Sequence, residues 1–271
     1  MTSSGEPVLI HSVDNPLVRD LRAIARSSNA RRQSAVALLD GAHLIAAAAD
    51  AGYTLNVLAA SEQGLAKAEI RHLFERTQAL RCVVFADRIF DQISSLASPS
   101  GLLGLLAVPA NAPLTRLAGD ALVLDRIQDS GNVGTILRTS AAVGCRRVLA
   151  TTGTAFLWSP KVLRAAMGAH FSLRLHEEVA LESLAGEPPA SVLIADGSGE
   201  ADLFETDLRG PTVWIFGNEG AGVGAAARSL PHRSIRLPMA VGVESLNVAA
   251  AVAICLYEQF RQRRVADRAA G

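Results

Sequence analysis

The sequence of 271 residues contains no apolar stretch that reaches the roughly 18 residues needed for a membrane-spanning helix. Its start, MTSSGEPVLIHSVDN, lacks the basic and apolar segments of a secretory signal. We therefore expect a cytoplasmic protein that does not associate with membranes. Neither half has a G-x-G-x-x-G pattern after its first strand, and no Walker loop occurs, which disfavours a Rossmann dehydrogenase.

Cysteine and net charge are also scarce. The three cysteines, Cys82, Cys145 and Cys255, are odd in number, widely separated and surrounded by apolar residues. This pattern indicates small buried hydrophobic residues rather than a disulfide framework or a metal site, so no metal is expected. The 26 basic and 26 acidic residues cancel, which argues against indiscriminate nucleic-acid binding.

The charges are nevertheless segregated along the chain. Five arginines lie between residues 12 and 34, and seven basic residues lie between 126 and 174 against Asp129 alone. Residues 175–208 carry nine acids and neither lysine nor arginine. Localised basic patches of this kind can bind phosphate on one face of a protein. The alternative is a solvated arginine-rich surface, since Lys67 and Lys161 are the only lysines.

Strands alternate with helices in both halves, which predicts an α/β fold with two domains. A smaller α/β domain is predicted for residues 1–108; it includes an amphipathic helix with a basic face at 14–34 and a helix at 65–80. Prolines suggest a linker at 109–119. The second domain, 120–271, is predicted to have a mainly parallel sheet with helices on both faces, ending in a long apolar helix from Leu246 to Arg261.

Three polar loops follow strands of the second half, where ligands gather in open α/β sheets. They are QDSGNVGTILRTSAAVG (128–144), GNEGAGVG (217–224) and ESLN (244–247). Each loop taken alone has a structural explanation. Asn132 and Ser245 are candidate helix N-caps, Arg138 a surface cation, and the glycines an ordinary turn after a strand.

Taken together, the three loops resemble the SpoU (TrmH-like) class of SPOUT RNA methyltransferases. NVGTILRTSAAVG (132–144), FGNEGAGV (216–223) and LPMAVGVESLNVAAAVAICLYE (237–258) look like the three family motifs, in the family's order. SPKVLRAAMGAHF (159–171) is similar to the segment between the first and second motifs. More weakly, residues 15–45 and 98–106 resemble a ribosomal-protein-like RNA-binding domain. There the family usually has Glu-Gly in place of Asp40-Gly41 and Pro-Gln-Gly in place of Pro99-Ser100-Gly101.

The resemblance implies S-adenosylmethionine as methyl donor, a ribose 2′-hydroxyl of RNA as acceptor, a C-terminal trefoil knot, and a homodimer formed through the C-terminal domain. It points to a catalytic set made of Arg138, Asn132, Glu219, Ser245 and Asn247. The cofactor-binding residues it implies are Gly217, Asn218, Glu219, Gly220, Leu237, Met239, Ser245, Leu246 and Asn247. The arginines predicted to contact RNA are Arg19, Arg22, Arg31, Arg32, Arg138 and Arg164.

Methyl transfer from a sulfonium is an in-line displacement, so the enzyme must chiefly align a ribose oxygen and ease the loss of its proton. Arginine stays protonated, so we predict that Arg138 grips a substrate phosphate and stabilises the developing alkoxide. A family proposal in which the arginine removes the proton stays open. Glu244 is expected to order its loop, while Ser245 and Asn247 shape the end of a donor pocket above the apolar helix.

Ribosomal RNA is the expected substrate because the N-terminal domain resembles one that binds structured RNA, but the sequence does not identify the nucleotide. A transfer-RNA 2′-O-methyltransferase and a catalytically silent RNA-binding protein of the same fold are the alternatives. Retention of the polar residues in all three loops favours the enzyme. A role in antibiotic resistance is also left open.

Overall fold

The computed structural model describes residues 7–110, 114, 119–183 and 191–270. The chain forms two compact units. The first comprises the described residues up to Ala110 together with Trp158–Phe171, and the second comprises the described remainder. Most of the predicted linker at 109–119 lies outside the described residues.

The strands and helices alternate along most of the chain. The strands are β1 (Val8–Ile10), β2 (Val36–Asp40), β3 (Val57–Ser61), β4 (Cys82–Phe85), β5 (Leu102–Ala107), β6 (Ala121–Asp125), β7 (Arg147–Thr151), β8 (Arg174–Val179), β9 (Ser191–Ala195), β10 (Ala201–Asp202), β11 (Thr212–Gly217) and β12 (Arg233–Arg236). The α-helices are α1 (Pro16–Arg26), α2 (Ser28–Gln33), α3 (Ala42–Asp50), α4 (Glu62–Ala66), α5 (Ala68–Arg76), α6 (Asp87–Ile93), α7 (Ser130–Val143), α8 (Pro160–Ala166), α9 (Ala225–Arg228) and α10 (Val248–Ala270).

Within its described residues, the first unit contains a five-stranded mixed sheet of order β1-β4-β3-β5-β2. β4 runs parallel to both β1 and β3, whereas β5 runs antiparallel to β3 and β2. Buried side chains of α1 and α6, including Leu21 and Phe90, pack with strand residues such as Phe85 to form its core. The predicted α/β class is confirmed. The sheet is mixed because β5 runs antiparallel to both of its neighbours, β3 and β2.

The second unit contains a parallel sheet with seven strands among the described residues, in the order β10-β12-β9-β11-β6-β7-β8. β11 pairs with both β9 and β6, although it follows them in the chain. The carboxyl ends of β6, β9, β11 and β12 therefore meet at one edge of the sheet, which is where an open α/β sheet binds ligands.

Two helices that the sequence analysis predicted as continuous are divided. The predicted helix at 14–34 breaks at Ser27, whose ψ of 118° is extended and whose hydroxyl accepts a hydrogen bond from the Ala30 amide. The predicted helix at 65–80 is replaced by α4 and α5, which are separated at Lys67. Capping by Ser27 interrupts the first helix, whereas Lys67 interrupts the second with an extended backbone and no side-chain cap. Hydrophobic spacing alone reveals neither break.

The segment Trp158–Phe171, which contains α8, packs within the first unit. Val162, Leu163 and Ala166 of α8 are fully buried, and α8 lies against β2. At the end of this segment Gly168 has φ +82°, and a Cβ there would lie 2.8 Å from the Ala47 Cβ of α3. Because a larger residue would be strained there, this glycine permits close packing between the segment and α3.

The long helix α10 packs against α7 and β11 through buried Val252, Cys255 and Leu256. The Trp214 indole N–H donates to the Gln259 Oε1 at 3.2 Å, which satisfies a polar group beneath the helix. Arg263 binds both carboxylate oxygens of Asp120 at 2.6 and 2.8 Å. Burial alone would raise the pKa of Asp120, but the hydrogen bonds from Arg263 and from the Thr212 amide lower it below its usual value.

The cysteines differ in their environments. Cys145 and Cys255 are buried, as predicted, and burial raises the pKa of Cys145 to about 12. Cys82 is only partly buried, so the prediction was wrong in degree for this residue. Among the described residues, no helix combines the length and apolar composition needed to cross a membrane.

Candidate functional site

A cleft with a volume of about 220 Å³ opens at the carboxyl ends of β9 and β11 in the second unit. We call it the strand-end cleft. The described residues that line it are Ala195, Asp196, Gly197, Phe216, Gly217, Asn218, Glu219, Gly222, Val223, Arg228, Leu237, Met239, Glu244, Ser245, Leu246, Val248 and Ala251. These residues come from the loop after β9, the glycine-rich segment after β11, the chain after β12 and the first turn of α10. The cleft therefore collects several strand-end loops.

A chain of hydrogen bonds joins the three polar loops beside this cleft. The Asn247 Nδ2 donates to the Asn132 Oδ1 at 3.0 Å, and the Asn132 Nδ2 donates to the Glu219 Oε1 at 2.9 Å. Asn132 thus binds one residue from each of the other two loops. Three segments that are far apart in the sequence converge at one place.

The direction of this chain is set by the backbone of α10. The Asn247 Oδ1 accepts from the amides of Ala249 and Ala250 at 2.9 and 3.3 Å. Since an amide side chain has one acceptor oxygen and one donor nitrogen, this capping bond turns the Asn247 Nδ2 toward Asn132. The same reasoning turns the Asn132 Nδ2 toward the Glu219 carboxylate. A helix N-terminus therefore fixes the orientation of two side chains.

The N-caps of α7 and α10 are not Asn132 and Ser245, the candidates that the sequence offered. Asp129, not Asn132, caps α7, and its Oδ1 accepts from the Asn132 amide at 2.7 Å. α7 accordingly begins at Ser130. Asn247, not Ser245, accepts from the first amides of α10, which begins at Val248 rather than at the predicted Leu246. The side chain of Asn132 is consequently left for the inter-loop contacts.

The segment Gly217–Gly224, which we call the glycine loop, is closed by a tight backbone bridge between Asn218 and Gly222. A Cβ on Gly217 would lie 2.3 Å from the Gly222 carbonyl carbon, so no larger residue fits there. The Asn218 Oδ1 accepts from the amides of Gly220 and Ala221 at 3.0 and 2.9 Å. These contacts hold Glu219 at the turn of a compact loop.

Acidic groups outnumber basic groups on the walls of the cleft. Asp196, Glu219 and Glu244 line it with Arg228 among the described residues. The Arg228 Nη2 donates to the Asp196 Oδ2 at 2.8 Å, which neutralises one pair. Hydrogen bonds from the Ser198 amide, Arg228 and the Ser198 hydroxyl hold the pKa of Asp196 below its usual value. The two glutamates therefore leave the cleft suited to a ligand that carries positive charge.

The structure places most, but not all, of the predicted cofactor residues on the cleft wall. Those lining it are Gly217, Asn218, Glu219, Leu237, Met239, Ser245 and Leu246. Gly220 and Asn247 are not among the described lining residues, and they instead hold the glycine loop and cap α10. Asn132 likewise lies beside the cleft and contributes through its hydrogen bonds to Glu219 and Asn247.

Arg138 is exposed on α7, six residues beyond Asn132, which corresponds to about 9 Å along the helix axis. It is not among the described residues that line the cleft. The arginine predicted to be catalytic is therefore accessible to solvent and is not one of the residues that the cleft brings together.

The other arginines predicted to contact RNA differ in exposure. Arg19, Arg32 and Arg164 are exposed and Arg22 is partly buried. Arg31 is a correction, because it is only 7% exposed and its guanidinium donates to the carbonyls of Ile24 and Ala25 at the end of α1. A buried arginine that caps a helix cannot reach RNA, and its contribution is to the junction of α1 and α2.

The sequence analysis missed Asp196 and Arg228, both of which line the cleft. Asp196 directly follows β9, so the rule that ligands gather after strand ends could have identified it. Arg228 lies at the end of the short helix α9, and no spacing in the sequence links it to Asp196.

Comparison with known proteins agrees with this geometry. Residues 120–257 match the SpoU rRNA methylase family, and residues 15–104 match the MRM3-like substrate binding domain. An uncharacterized tRNA/rRNA methyltransferase of Synechocystis is 32% identical over 95% of both chains. A 23S rRNA guanosine 2′-O-methyltransferase of Bacillus subtilis is 29% identical, covering 92% of this chain and 97% of its own.

The fold is also similar to that of solved structures. The SpoU methyltransferase AviRb from Streptomyces viridochromogenes, in complex with the cofactor AdoMet, superposes with a TM-score of 0.81 at 26% identity. That similarity covers 92% of this chain and 98% of the AviRb chain. The match extends across both the mixed and the parallel sheet. The chain therefore belongs to the SpoU rRNA methylase family.

Proposed function

We propose that this protein transfers a methyl group from S-adenosylmethionine to a ribose 2′-hydroxyl of ribosomal RNA. The observation that carries the proposal is the hydrogen-bond chain Glu219–Asn132–Asn247 beside the strand-end cleft. A scaffold that only bound RNA would have no need to align three polar loops at a cleft rich in carboxylates. The Bacillus subtilis relative named above, a 2′-O-methyltransferase of 23S rRNA, supports the same substrate class.

The residues of the strand-end cleft fit S-adenosylmethionine. Leu237, Met239 and Leu246 offer apolar surface, and Gly217 brings backbone rather than side chain to the wall. The carboxylates of Glu219 and Glu244 complement a cation. When bound, S-adenosylmethionine supplies an electrophilic methyl group on a positively charged sulfur. We assign its binding to Gly217, Asn218, Glu219, Leu237, Met239, Ser245 and Leu246, with Gly220 and Asn247 in support.

The chain's own residues then have distinct tasks. Asn132 and Asn247 hold Glu219 in one orientation, which preorganises the acidic wall of the cleft. Ser245 lines the same cleft and is exposed, so its hydroxyl can meet a polar group of a bound ligand. Arg138, exposed two turns along α7, binds an RNA phosphate and stabilises negative charge on the ribose oxygen as its proton departs.

The first unit is proposed to bind the RNA substrate. The boundaries we propose along the sequence are 1–108 for this domain, 109–119 for the linker and 120–271 for the methyltransferase domain, whose internal segment Trp158–Phe171 packs within the first unit. Arg19 and Arg32 are exposed on α1 and α2, and Arg164 is exposed on α8 of the same unit. These arginines provide positive charge for phosphate contacts. The trefoil knot and the cytoplasmic location stay predictions, and several relatives are described as mitochondrial.

The function is tested by incubating the purified protein with labelled S-adenosylmethionine and total RNA from cells that lack the gene. We expect label in large-subunit ribosomal RNA, and mapping of ribose methylation should locate one site that is absent without the gene. Transfer to transfer RNA alone would contradict the proposed substrate. Binding of RNA without any label transfer would favour a silent RNA-binding protein.

Asn247 offers a direct test of the cleft. Asn247→Asp keeps an acceptor for the first amides of α10 but removes the donor to Asn132, whereas Asn247→Ala removes both. We expect both variants to weaken S-adenosylmethionine binding by about 10-fold, measured by calorimetry. The alanine variant alone should also lose about 1 kcal/mol of unfolding free energy, because it lacks the helix cap. Full affinity in both variants would exclude Asn247 from the donor site.

We also propose that the protein is a homodimer formed through α10. Ile254, Tyr257 and Val265 lie along one face of this helix and are 38%, 52% and 57% exposed. Arg261, which is ion-paired with Glu258, lies on the same face between Tyr257 and Val265. A mostly apolar stripe on a helix whose opposite face is already buried is suited to packing against a second copy.

The dimer is tested with Tyr257→Glu, which places a charge in this stripe. Sedimentation should give the mass of two chains for the wild type and of one chain for the variant. Phe204→Glu is the matched control, because Phe204 is a similarly exposed aromatic residue outside the stripe. A wild-type protein that sediments as a single chain would contradict the proposal.

A further inference from the structure

Arg126 follows β6 directly and has a backbone conformation that is unfavourable for its type. Its φ is +59°, in the left-handed region that residues with a side chain rarely adopt. The Arg126 amide donates to the hydroxyls of Thr151 and Thr154 at 3.0 and 3.1 Å. Neighbouring strand-end residues therefore hold this backbone in place, and such enforced conformations concentrate at functional sites.

The left-handed turn directs both the carbonyl and the side chain of Arg126 toward the glycine loop. The Arg126 carbonyl accepts from the Asn218 Nδ2 at 3.1 Å, and the Arg126 Nη2 donates to the Gly222 carbonyl at 3.3 Å. Asn218 and Gly222 are the two residues whose backbone bridge closes that loop. Arg126, which lies outside the loop, thus binds both of the residues that close it.

The preceding residue reinforces this arrangement. The buried carboxylate of Asp125 accepts from the Gly224 amide at 2.6 Å, and it lies 3.5 Å from the Arg126 Nε. A Cβ on Gly224 would lie 2.9 Å from the Arg126 Nη2, so the guanidinium is packed directly against the loop backbone. The charge of Asp125 keeps the guanidinium at this position.

These contacts reach Glu219 through Asn218. Both ends of the Asn218 side-chain amide make hydrogen bonds, because its nitrogen donates to the Arg126 carbonyl and its oxygen accepts from the amides of Gly220 and Ala221. Glu219 lies between these residues and meets Asn132 at 2.9 Å. Loss of the Arg126 contacts would therefore make Glu219, the last residue of the hydrogen-bond chain, more mobile.

We propose that Arg126 is a positioning residue for methyl transfer, one that clamps the glycine loop so that Glu219 stays aligned with Asn132 and Asn247. The proposal rests on the function proposed above. In this proposal the Arg126 side chain holds the glycine loop and does not contact RNA. Part of that side chain also faces an open cavity lined by Thr152 and Glu182. Direct contact of Arg126 with RNA through that cavity is the competing explanation.

The decisive variant is Arg126→Gly. Glycine adopts a positive φ without strain, so the backbone turn is retained while the guanidinium contacts are lost. We expect an unfolding midpoint within about 3 °C of the wild type. We also expect kcat to fall on the order of 10-fold, with the KM for RNA unchanged, because misaligned catalytic groups affect the reaction more than substrate binding. Arg126→Lys, which keeps the charge but not the forked donor geometry, should be intermediate.

Ala35→Gly is the matched control. Ala35 also has a positive φ, +47°, and lies in the first unit with no role in the cleft. This substitution should leave kcat and KM at their wild-type values, which separates relief of backbone strain from loss of the clamp.

Amide hydrogen exchange of the free protein provides a readout that does not depend on activity. In Arg126→Gly, the amides of Gly220, Ala221 and Gly222 should exchange about 10-fold faster than in the wild type. Unchanged exchange with unchanged kcat would overturn the proposal, and so would a raised KM for RNA with unchanged kcat, which indicates an RNA contact. If the wild type transfers no methyl group, the proposed function fails, while the exchange comparison still tests the clamp.

Discussion

Asn132→Asp should reduce the single-turnover rate of methyl transfer by about 100-fold at neutral pH. The substitution is isosteric and keeps an acceptor for Asn247, but it replaces the donor facing Glu219 with a carboxylate. Two carboxylates at that 2.9 Å separation repel each other and displace Glu219 from its place on the cleft wall. Folding should not suffer, because an acidic residue in the first turn of α7 is favourable.

The same variant should show a distinctive pH dependence. Two neighbouring carboxylates share a proton, so the apparent pKa of the pair is raised above that of an isolated carboxyl group. As the pH is lowered through that raised pKa, one proton binds, repulsion disappears and the rate recovers toward the wild type. The wild type, which has an amide at this position, should show no such recovery. A pH–rate profile of Asn132→Asp that parallels the wild type would contradict the assigned contact.

A double variant separates geometry from charge. Asn132→Asp combined with Glu219→Gln restores a donor and acceptor pair in reversed order, without like charges. If Glu219 acts only by orientation, the double variant should recover to within about 10-fold of the wild type. If the negative charge of Glu219 is needed in the cleft, the double variant stays slow and S-adenosylmethionine binding weakens. Calorimetry on the same proteins distinguishes these two outcomes.

Arg138→Ala is expected to slow single-turnover methylation by about 100- to 1000-fold, the range found when one stabilising donor is removed from an active site. Affinity for S-adenosylmethionine should not change, because Arg138 is not among the described residues lining the cleft. Arg138→Lys keeps the charge but loses bidentate binding, so it should retain only part of the activity. Rapid-quench measurements with saturating RNA report the chemical step directly.

The control for this prediction is Arg209→Ala. Arg209 is an exposed arginine paired with Asp207, and its removal should leave the rate unchanged. A wild-type rate in Arg138→Lys would show that bidentate binding of the phosphate is not needed. A wild-type rate in Arg138→Ala would show that Arg138 has no part in the mechanism.

Much of the fold was predictable because it depends on patterns that are local in the chain. The buried strands β2, β3, β6, β9 and β11 are runs of mainly apolar residues. The parallel sheet of the second unit follows from the alternation of its strands with helices. The sequence analysis predicted no strand at β1, β8 or the two-residue β10. β8 is RLHEEV, an edge strand whose polar residues hide its pairing with β7. The mixed character of the first sheet depends on which strand lies beside β5, which is a long-range property.

The candidate site was predictable to the extent that its residues follow strands. Asn132, Glu219 and Asn247 were singled out for that reason together with the family resemblance, and the structure brings them into hydrogen-bond contact. Arg31 was misplaced because the sequence does not distinguish a solvated arginine from one that binds helix carbonyls. The role of Arg126 was not predicted, because an arginine in the sequence does not indicate a positive φ, a conformation normally expected of glycine.

The location of Trp158–Phe171 within the first unit limits how this protein can be divided. A fragment that starts after residue 119 would retain α8 but lack β2 and α3, leaving Val162, Leu163 and Ala166 without the surfaces that bury them. Such a fragment would carry an uncovered apolar patch and be prone to self-association. Replacing the first unit of this protein by another domain would likewise require this internal segment to be exchanged together with the amino-terminal portion.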